Sequence, residues 1–316
     1  MRKKIFYTTM CICIALISSV TLTACNNDDS NEPLNIVDIA LNSPNLSTLV
    51  AALQKADLVD AVKANSIKTV FAPTNDAFQA LLDSNENWSS LDDIPMATLK
   101  TVLLYHVIDG KVMSTDLSNT YVPTLATGPN NEPISLQVET TGAVEFNGDS
   151  KPLQVDIPAS NGVIHLIDRV MLPPNVVTLA LNNSGFSMLV KALTDSRHTT
   201  DFISTLSSDG PFTIFAPTDA AFQALLDSNT NWNTIGDIPI ATLDAVLKYH
   251  VINNANVQAD QLSDGDVQAL QGTLTISGAT LKTTSNQTVN IIIGSSTNDV
   301  QGTNGVIHAI ESVLLP

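Results

Sequence analysis

Cysteine is nearly absent from this 316-residue chain, and what there is sits at one end: Cys11, Cys13 and Cys25. Beyond residue 25 there is none, so the folded part has no disulfide and no thiolate metal site available to it. Basic residues are scarce as well. The 14 Lys and Arg stand against 31 Asp and Glu, a formal net charge of −17. Arg2, Lys3 and Lys4 lie at the extreme N-terminus, and without residues 1–24 the balance falls to 11 basic against 31 acidic residues. That excess argues against a nucleic-acid partner and against docking on anionic lipid through a basic patch. It suits solubility and colloidal repulsion, with a cationic partner or divalent-ion bridging as the alternative. Catalytic signatures are missing too: there is no G-x-S-x-G elbow, P-loop, H-E-x-x-H or dinucleotide fingerprint. The acidic residues are scattered, and no two are nominated as a general acid and base. The chain therefore reads as a non-enzyme without cofactor or metal.

One long apolar run exists, Ile5 to Val20, behind the positive Arg2-Lys3-Lys4. It has the form of a signal h-region and is too short and too soon followed by polar residues for a permanent span. Leu22-Thr23-Ala24-Cys25 resembles the bacterial lipobox. That resemblance implies cleavage before Cys25 and lipid on its thiol, and several acyl chains anchor stably where one does not. Residues 1–24 are then a lipoprotein signal peptide and residues 25–33, polar and without apolar anchors, a flexible tether. Asp28-Asp29 is similar to the acidic export signal of some surface lipoproteins. The expected location is the bacterial outer membrane, facing the surface or otherwise the periplasm.

The rest of the chain says one thing twice. Residues 69–108 and 213–252 are identical at 28 of 40 ungapped positions, and NGVIHLIDRVMLP at 161–173 returns as NGVIHAIESVLLP at 304–316. A repeat this long is a duplicated domain and not a solenoid unit, which divides the chain into 34–173 and 174–316. Each copy opens on a helical pattern, near Ile36, Ile39, Leu49 and Leu53 in the first. A strand, Thr69–Ala72, is stopped by Pro73. Thr74 is placed to cap the next helix, whose apolar face is Ala77, Phe78, Leu81 and Leu82. Another helix follows Asp93-Ile94-Pro95. Then come short β-rich runs: Ser135–Thr140, Ala143–Phe146, Gln154–Ile157 and Val163–Val170, matched by Thr273–Ser277, Thr280–Thr283, Val289–Ile293 and Val306–Leu314. Helices first and an antiparallel meander after predict an α+β fold. The last strand, apolar on both faces, is expected at the sheet centre. Pro173-Pro174 joins the copies with no flexible linker and limits the angle between them.

Thr69-Val70-Phe71-Ala72-Pro73-Thr74-Asn75-Asp76-Ala77-Phe78, Tyr105-His106, and Asn161-Gly162-Val163-Ile164-His165 through Leu172-Pro173 resemble the three ordered motifs of the fasciclin (FAS1) domain. All recur at 213–222, 249–250 and 304–316, and the resemblance covers essentially all of 34–316. It implies two tandem wedge-shaped antiparallel β-sandwiches flanked by helices, in an extracytoplasmic protein that works by adhesion or binding. The partner is then a protein or glycan outside the inner membrane. The family's Asp-Ile pair before the last motif matches Asp156-Ile157, and departs to Asp299-Val300 in the second copy. These four, with Tyr105, His106, Tyr249 and His250 of the Tyr-His motif, are the candidate partner-binding residues. Read from the residues alone, the Asp instead starts the turn into Ala159-Ser160-Asn161-Gly162, and the two tyrosines are half-buried rings with a bonded hydroxyl.

Other readings come from the residues themselves. His106 with His165, and His250 with His308, form matched pairs; His198 is unmatched. A metal or acid/base pair is the sharp reading, but His106 ends an apolar stripe and His165 lies on one strand face between Val163 and Ile167. Those positions favour neutral imidazoles bonded within the core. Trp88 and Trp232 are candidate glycan-stacking platforms, or else anchors that tuck the Asn-rich loop onto the core. A glycan-binding accessory protein and a periplasmic envelope scaffold are the alternatives to adhesion.

Overall fold

A computed structural model describes residues 33–316 apart from 65 and 295–297. The signal segment and Cys25 lie outside the described residues. The first repeat runs α1 (Ile36–Leu41), α2 (Ser47–Lys55), α3 (Val59–Lys63), β1 (Lys68–Pro73), α4 (Asn75–Asp83), α5 (Met96–Tyr105), β2 (Val107–Asp109), β3 (Thr120–Thr127), β4 (Pro133–Glu139), β5 (Glu145–Phe146), β6 (Pro152–Ala159) and β7 (Gly162–Ile167). The second runs α6 (Val176–Asn182), α7 (Ser187–Leu193), α8 (Phe202–Leu206), β8 (Phe212–Pro217), α9 (Asp219–Asp227), α10 (Ile240–Tyr249) and β9 (Val251–Asn253). It closes with β10 (Gly265–Gln268), β11 (Thr273–Ser277), β12 (Thr280–Lys282), β13 (Thr288–Asn290), β14 (Val300–Gly302) and β15 (Gly305–Ile310).

Each repeat is three layers: helices, a central sheet, and a second sheet. The central sheet has order β2-β1-β7-β6 in the first repeat and β14-β15-β8-β9 in the second; the outer sheets are β3-β4-β5 and β10-β11-β12-β13. The layering explains why β1 is buried at all six positions. Val70 and Ala72 pack with the helices, against Leu49, Leu53, Phe78 and Leu103. Phe71 points the other way, to Tyr105, Ile134, Leu136 and Phe146 beneath the outer sheet. The second repeat divides its core in the same manner around Phe222 and Phe215. Each buried Phe or Leu contributes roughly 1.5–3 kcal/mol. Thr74 and Thr218 cap α4 and α9 by accepting the N–H of Ala77 and Ala221.

The final strand is central, as its two apolar faces predict: β7 lies between β1 and β6. The pairing adds something the meander does not contain. β7 runs parallel to β1, from Lys68↔Gly162 to Pro73↔Ile167, and β15 runs parallel to β8. The chain returns through the β6–β7 hairpin into the centre of the sheet, and that central position, between helices and outer sheet, buries the strand on both faces. Several strands go beyond the sequence reading. β3 carries Pro123 and an irregularity between Pro123 and Thr127, both marks of an edge strand. β2, β9 and β14 have three residues each, too few for a period, and β10 is polar and solvent-facing. The expected Ala143–Phe146 shrinks to Glu145–Phe146. No single helix among the described residues is long and apolar enough to cross a membrane.

Candidate functional site

The motif histidines turn inward. His106 and His250 cap the C-termini of α5 and α10 and are 2% and 3% exposed. His106 Nδ1–H donates to Val102 O at 2.7 Å, and its Nε2 accepts the N–H of Met171 at 2.9 Å. His250 repeats this with Val246 O and the N–H of Leu314, at 2.7 and 2.9 Å. Each ring is therefore neutral, with both nitrogens used. Burial drives both pKa values down to about 4, against a smaller opposing pull from the helix carbonyl. The second pair does a related job. His165 Nδ1 accepts the N–H of Asp156 at 3.2 Å and its Nε2–H donates to Val112 O at 2.9 Å. His308 does the same with Asp299 N–H and Val257 O, at 3.3 and 2.8 Å. Four imidazoles thus stitch strand to loop, and none faces a substrate-sized space with a free nitrogen. Unmatched His198 contacts Asp244 through Nδ1 and donates to Ala192 O at 2.6 Å.

Tyr105 and Tyr249 are fully buried. Tyr105 Oη lies 2.9 Å from both Ser135 O and Asn147 Oδ1, and burial raises its pKa above the usual phenol range. The Tyr-His side chains are therefore closed to a partner arriving at the folded domain, which corrects their place among the binding candidates. A long amphipathic side chain at a helix end looks the same in sequence whether its polar tip bonds inward or reaches out.

Asp156 and Asp299 have left-handed backbones, φ 62° and 55°, a conformation Asp tolerates better than most residues. Asp156 accepts from Ser114 N–H at 2.8 Å and Ser114 Oγ–H at 2.6 Å, and these bonds hold its carboxyl below the usual range. Asp299 accepts from Ala259 N–H at 2.6 Å. Both carboxylates brace a loop while keeping part of their surface in water, 28% and 37%. Ile157 packs partly on the core and Val300 is buried. Val300 is thus no contact residue, and the edge retains Asp156, Ile157 and Asp299. Trp88 and Trp232 are half-buried against the helical cores of their repeats, with one part of each ring left at the surface.

Asn161 and Asn304 are functional in a structural sense that spacing did not reveal. Asn161 Oδ1 accepts the N–H of Ile36 at 2.9 Å, and its Nδ2 donates to Val62 O and Ala64 O at 2.9 and 3.2 Å. Asn304 matches it with Val176 N–H, Leu206 O and Ser208 O, at 3.0, 2.8 and 2.7 Å. One side chain joins the start of the first helix and the end of the third to the central sheet. The signal was the Asn-Gly repeated at the head of the last strand. The glycine is required sterically: a Cβ on Gly162 would lie 1.9 Å from Lys68 O, and on Gly305 2.3 Å from Phe212 O.

The two repeats meet along a polar seam. Gln301 N–H donates to Ser135 Oγ at 2.9 Å. The Gln301 side chain, 2% exposed, accepts from Asn256 and Gln258 and donates to Gly302 O and Gly305 O. Asn130 Nδ2 donates to Asn256 O at 2.9 Å, Gln137 Nε2 to Asn182 O at 3.0 Å, and Asn183 Nδ2 to Tyr121 Oη at 3.1 Å. Gly128 lies flat on Gly302, where a Cβ would stand 2.5 Å from the Gly302 carbonyl oxygen. Beside the seam opens a cleft of about 430 Å³, walled by Tyr121, Gln137 and Glu139 on one side and by Asn183–Phe186 and Thr218–Ala220 on the other.

The comparisons with known proteins agree with this duplicated architecture. The family model described as "Fasciclin domain" matches residues 44–173 and again 184–316. Protein sll1483 of Synechocystis sp. is 39% identical over 145 residues, covering 46% of this chain and 77% of that protein. Transforming growth factor-beta-induced protein ig-h3 of Sus scrofa is 30% identical over 253 residues, 78% of this chain and 34% of its own length. Stabilin-2 of Rattus norvegicus is 31% identical over 208 residues, and the match spans only 14% of that longer protein. A solved FAS1 domain pair from the insect cell adhesion molecule Fasciclin I aligns over 84% of this chain and 92% of its own, at 19% identity and a TM-score of 0.46. Two family matches, falling on two copies that repeat the same inward histidines and the same bridging asparagine, give one conclusion: this chain belongs to the fasciclin domain family.

Proposed function

We propose that the chain is a binding protein of the bacterial envelope, held by lipid on Cys25, that mediates adhesion through its two fasciclin domains. The observation that carries a binding role over a catalytic one is the fate of the motif histidines. All four spend both ring nitrogens on backbone groups, so none retains a lone pair or proton for a substrate. Contact then falls to outer loops, strand edges and the seam. Two domains and many copies on one membrane multiply modest individual contacts.

The test is made on intact cells. Protease, and antibody against the mature chain, are applied beside a periplasmic control. Digestion and labelling of whole cells, with loss of attachment to a matrix-coated surface on deletion of the gene, support surface adhesion. Protection until the envelope is broken overturns it and turns the search to periplasmic partners.

A further inference from the structure

The cleft between the repeats has a one-sided chemistry. Tyr121 and Gln137 are cross-strand partners in β3 and β4. Glu139 lies two residues beyond Gln137 on β4, so all three side chains share the outer face of that sheet. Across the cleft stand Phe186, Asp219 and Ala220. Among the residues lining it there is no Lys, Arg or His. Beside neutral hydroxyls and amides they offer two carboxylates: Glu139, which Thr141 Oγ contacts, and Asp219, which accepts from Ser187 Oγ–H and Met188 N–H at 2.6 and 2.7 Å. Carboxylate oxygens have lone pairs to spare beyond these bonds.

A second observation is independent of the carboxylates. Gln137 is 7% exposed, and its Oε1 has no hydrogen-bond donor and almost no surface of its own, so a donor reaches it only if the cleft wall shifts. The amide cannot relieve this by flipping, because its Nε2 donates to Asn182 O across the seam. A flip would set oxygen against oxygen. Tyr121 also registers the local field. Its pKa is raised to about 12, first by burial and also by the Glu139 charge, with Asn183 opposing. The phenol therefore stays protonated and supplies an uncharged aromatic wall.

We propose that this cleft binds an organic cation on an apolar stem, an arginine or lysine side chain presented by a partner protein. Tyr121 and Phe186 take the methylene stem. Glu139 and Asp219 take the charge, an arginine through its N–H fork and a lysine through its ammonium. The acidic excess of the chain, 31 carboxylates against 14 cations, draws such a partner from solution. This deepens the binding function proposed above by naming the partner's chemistry. It is tested on the purified chain, so its failure is distinct from a failure of adhesion on cells.

The full mature chain is titrated by calorimetry at low salt with acetyl-Gly-Arg-Gly-amide and with the neutral citrulline analogue. Agmatine serves as a free amine. Saturable binding of the arginine peptide, none of the citrulline peptide, and a loss of roughly tenfold or more in Glu139→Gln are expected, the scale of one charge-assisted contact. Ala220→Trp, which fills the cleft from an exposed helix position, abolishes binding without touching a charge. Glu86→Gln, an exposed carboxylate elsewhere, changes nothing. Circular dichroism and melting confirm that each variant is folded. Binding that is absent, or unchanged in both Glu139→Gln and Ala220→Trp, overturns the site. Agmatine binding as tightly as the peptide overturns the assignment to a partner protein and leaves a small-amine site.

Discussion

His106 receives the backbone N–H of Met171 at 2.9 Å, tying the end of the fifth helix to the segment that leaves the last strand of the first repeat. His250 and Leu314 repeat the bond at the same length in the second. The bond requires an unprotonated Nε2, so the fold commits these rings to the neutral form.

Stability is therefore lost in acid. The folded pKa of each histidine is about 4, below the unfolded value of about 6.5. Between those values the unfolded chain binds more protons than the folded one. The contribution is fully present above pH 6.5 and disappears as pH falls toward 4, about 3 kcal/mol for each ring. Urea melts at pH 7, 5.5 and 4.5 are expected to show a falling midpoint. In His106→Gln/His250→Gln the starting stability is lower and the slope across this window is flatter. An equal slope in the double variant locates the acid sensitivity elsewhere.

Asn161→Ala removes one acceptor and two donor contacts to buried backbone. The expected cost is about 2–4 kcal/mol, because Ile36 N–H and two helix-end carbonyls lose their partner. Asn161→Asp is no rescue: it keeps the acceptor for Ile36 and sets a carboxylate against Val62 O and Ala64 O. Gly162→Ala is worse than either, since its Cβ has Lys68 O at 1.9 Å. Thermal melts of the three variants check the order.

Asp156 separates bracing from contact. Asp156→Asn keeps an acceptor for the Ser114 N–H and tolerates the left-handed backbone. Asp156→Ala loses both bonds and places an unfavourable residue at φ 62°, for about 1–3 kcal/mol. Asp156→Gly eases the backbone but not the bonds and falls between. If the partly exposed carboxylate also meets a partner, Asp156→Asn lowers attachment to a matrix-coated surface without lowering the melting temperature. A fall in both together marks a purely structural residue.

The layering was legible where periodicity and capping agree. Thr69–Ala72 had to be a strand ended by Pro73, and Thr74 had to cap what followed. The central position of Val163–Ile167 followed from its two apolar faces. The parallel direction of that strand did not, because alternation records which faces are buried and carries no sign of direction. The histidines were placed inside by their apolar flanks. The tyrosines beside them read as half-buried rings with a bonded hydroxyl; the bonds are there and the burial is complete, which a phenol on a helix end does not announce. The asparagine bridge was hidden for a different reason: Asn-Gly reads first as a turn. That its amide reaches helices about a hundred residues away in sequence is a property of the closed fold. The cleft was invisible because Tyr121, Gln137 and Glu139 face residues of the other repeat.

The seam makes the last prediction. The two prolines at the junction restrict the chain, but the bonds that set the relative position of the repeats are those of Gln301, Asn256 and Asn182 with the first repeat's β3–β4 sheet and loop. Ser135→Ala deletes only the acceptor for Gln301 N–H and is expected to cost about 1 kcal/mol, with no change of shape. Gly128→Val is different in kind. Its first side-chain atom falls 2.5 Å from the Gly302 carbonyl, and both sides of that contact are backbone, so neither can move by a rotamer change. The repeats must separate there. Small-angle scattering is expected to show a larger radius of gyration in Gly128→Val than in the parent, and limited proteolysis new cleavage near Pro173-Pro174. Circular dichroism should stay near the parent's, because each repeat keeps its own core. An unchanged scattering profile would show that the seam yields locally at Gly128 while its other bonds and the prolines hold the angle.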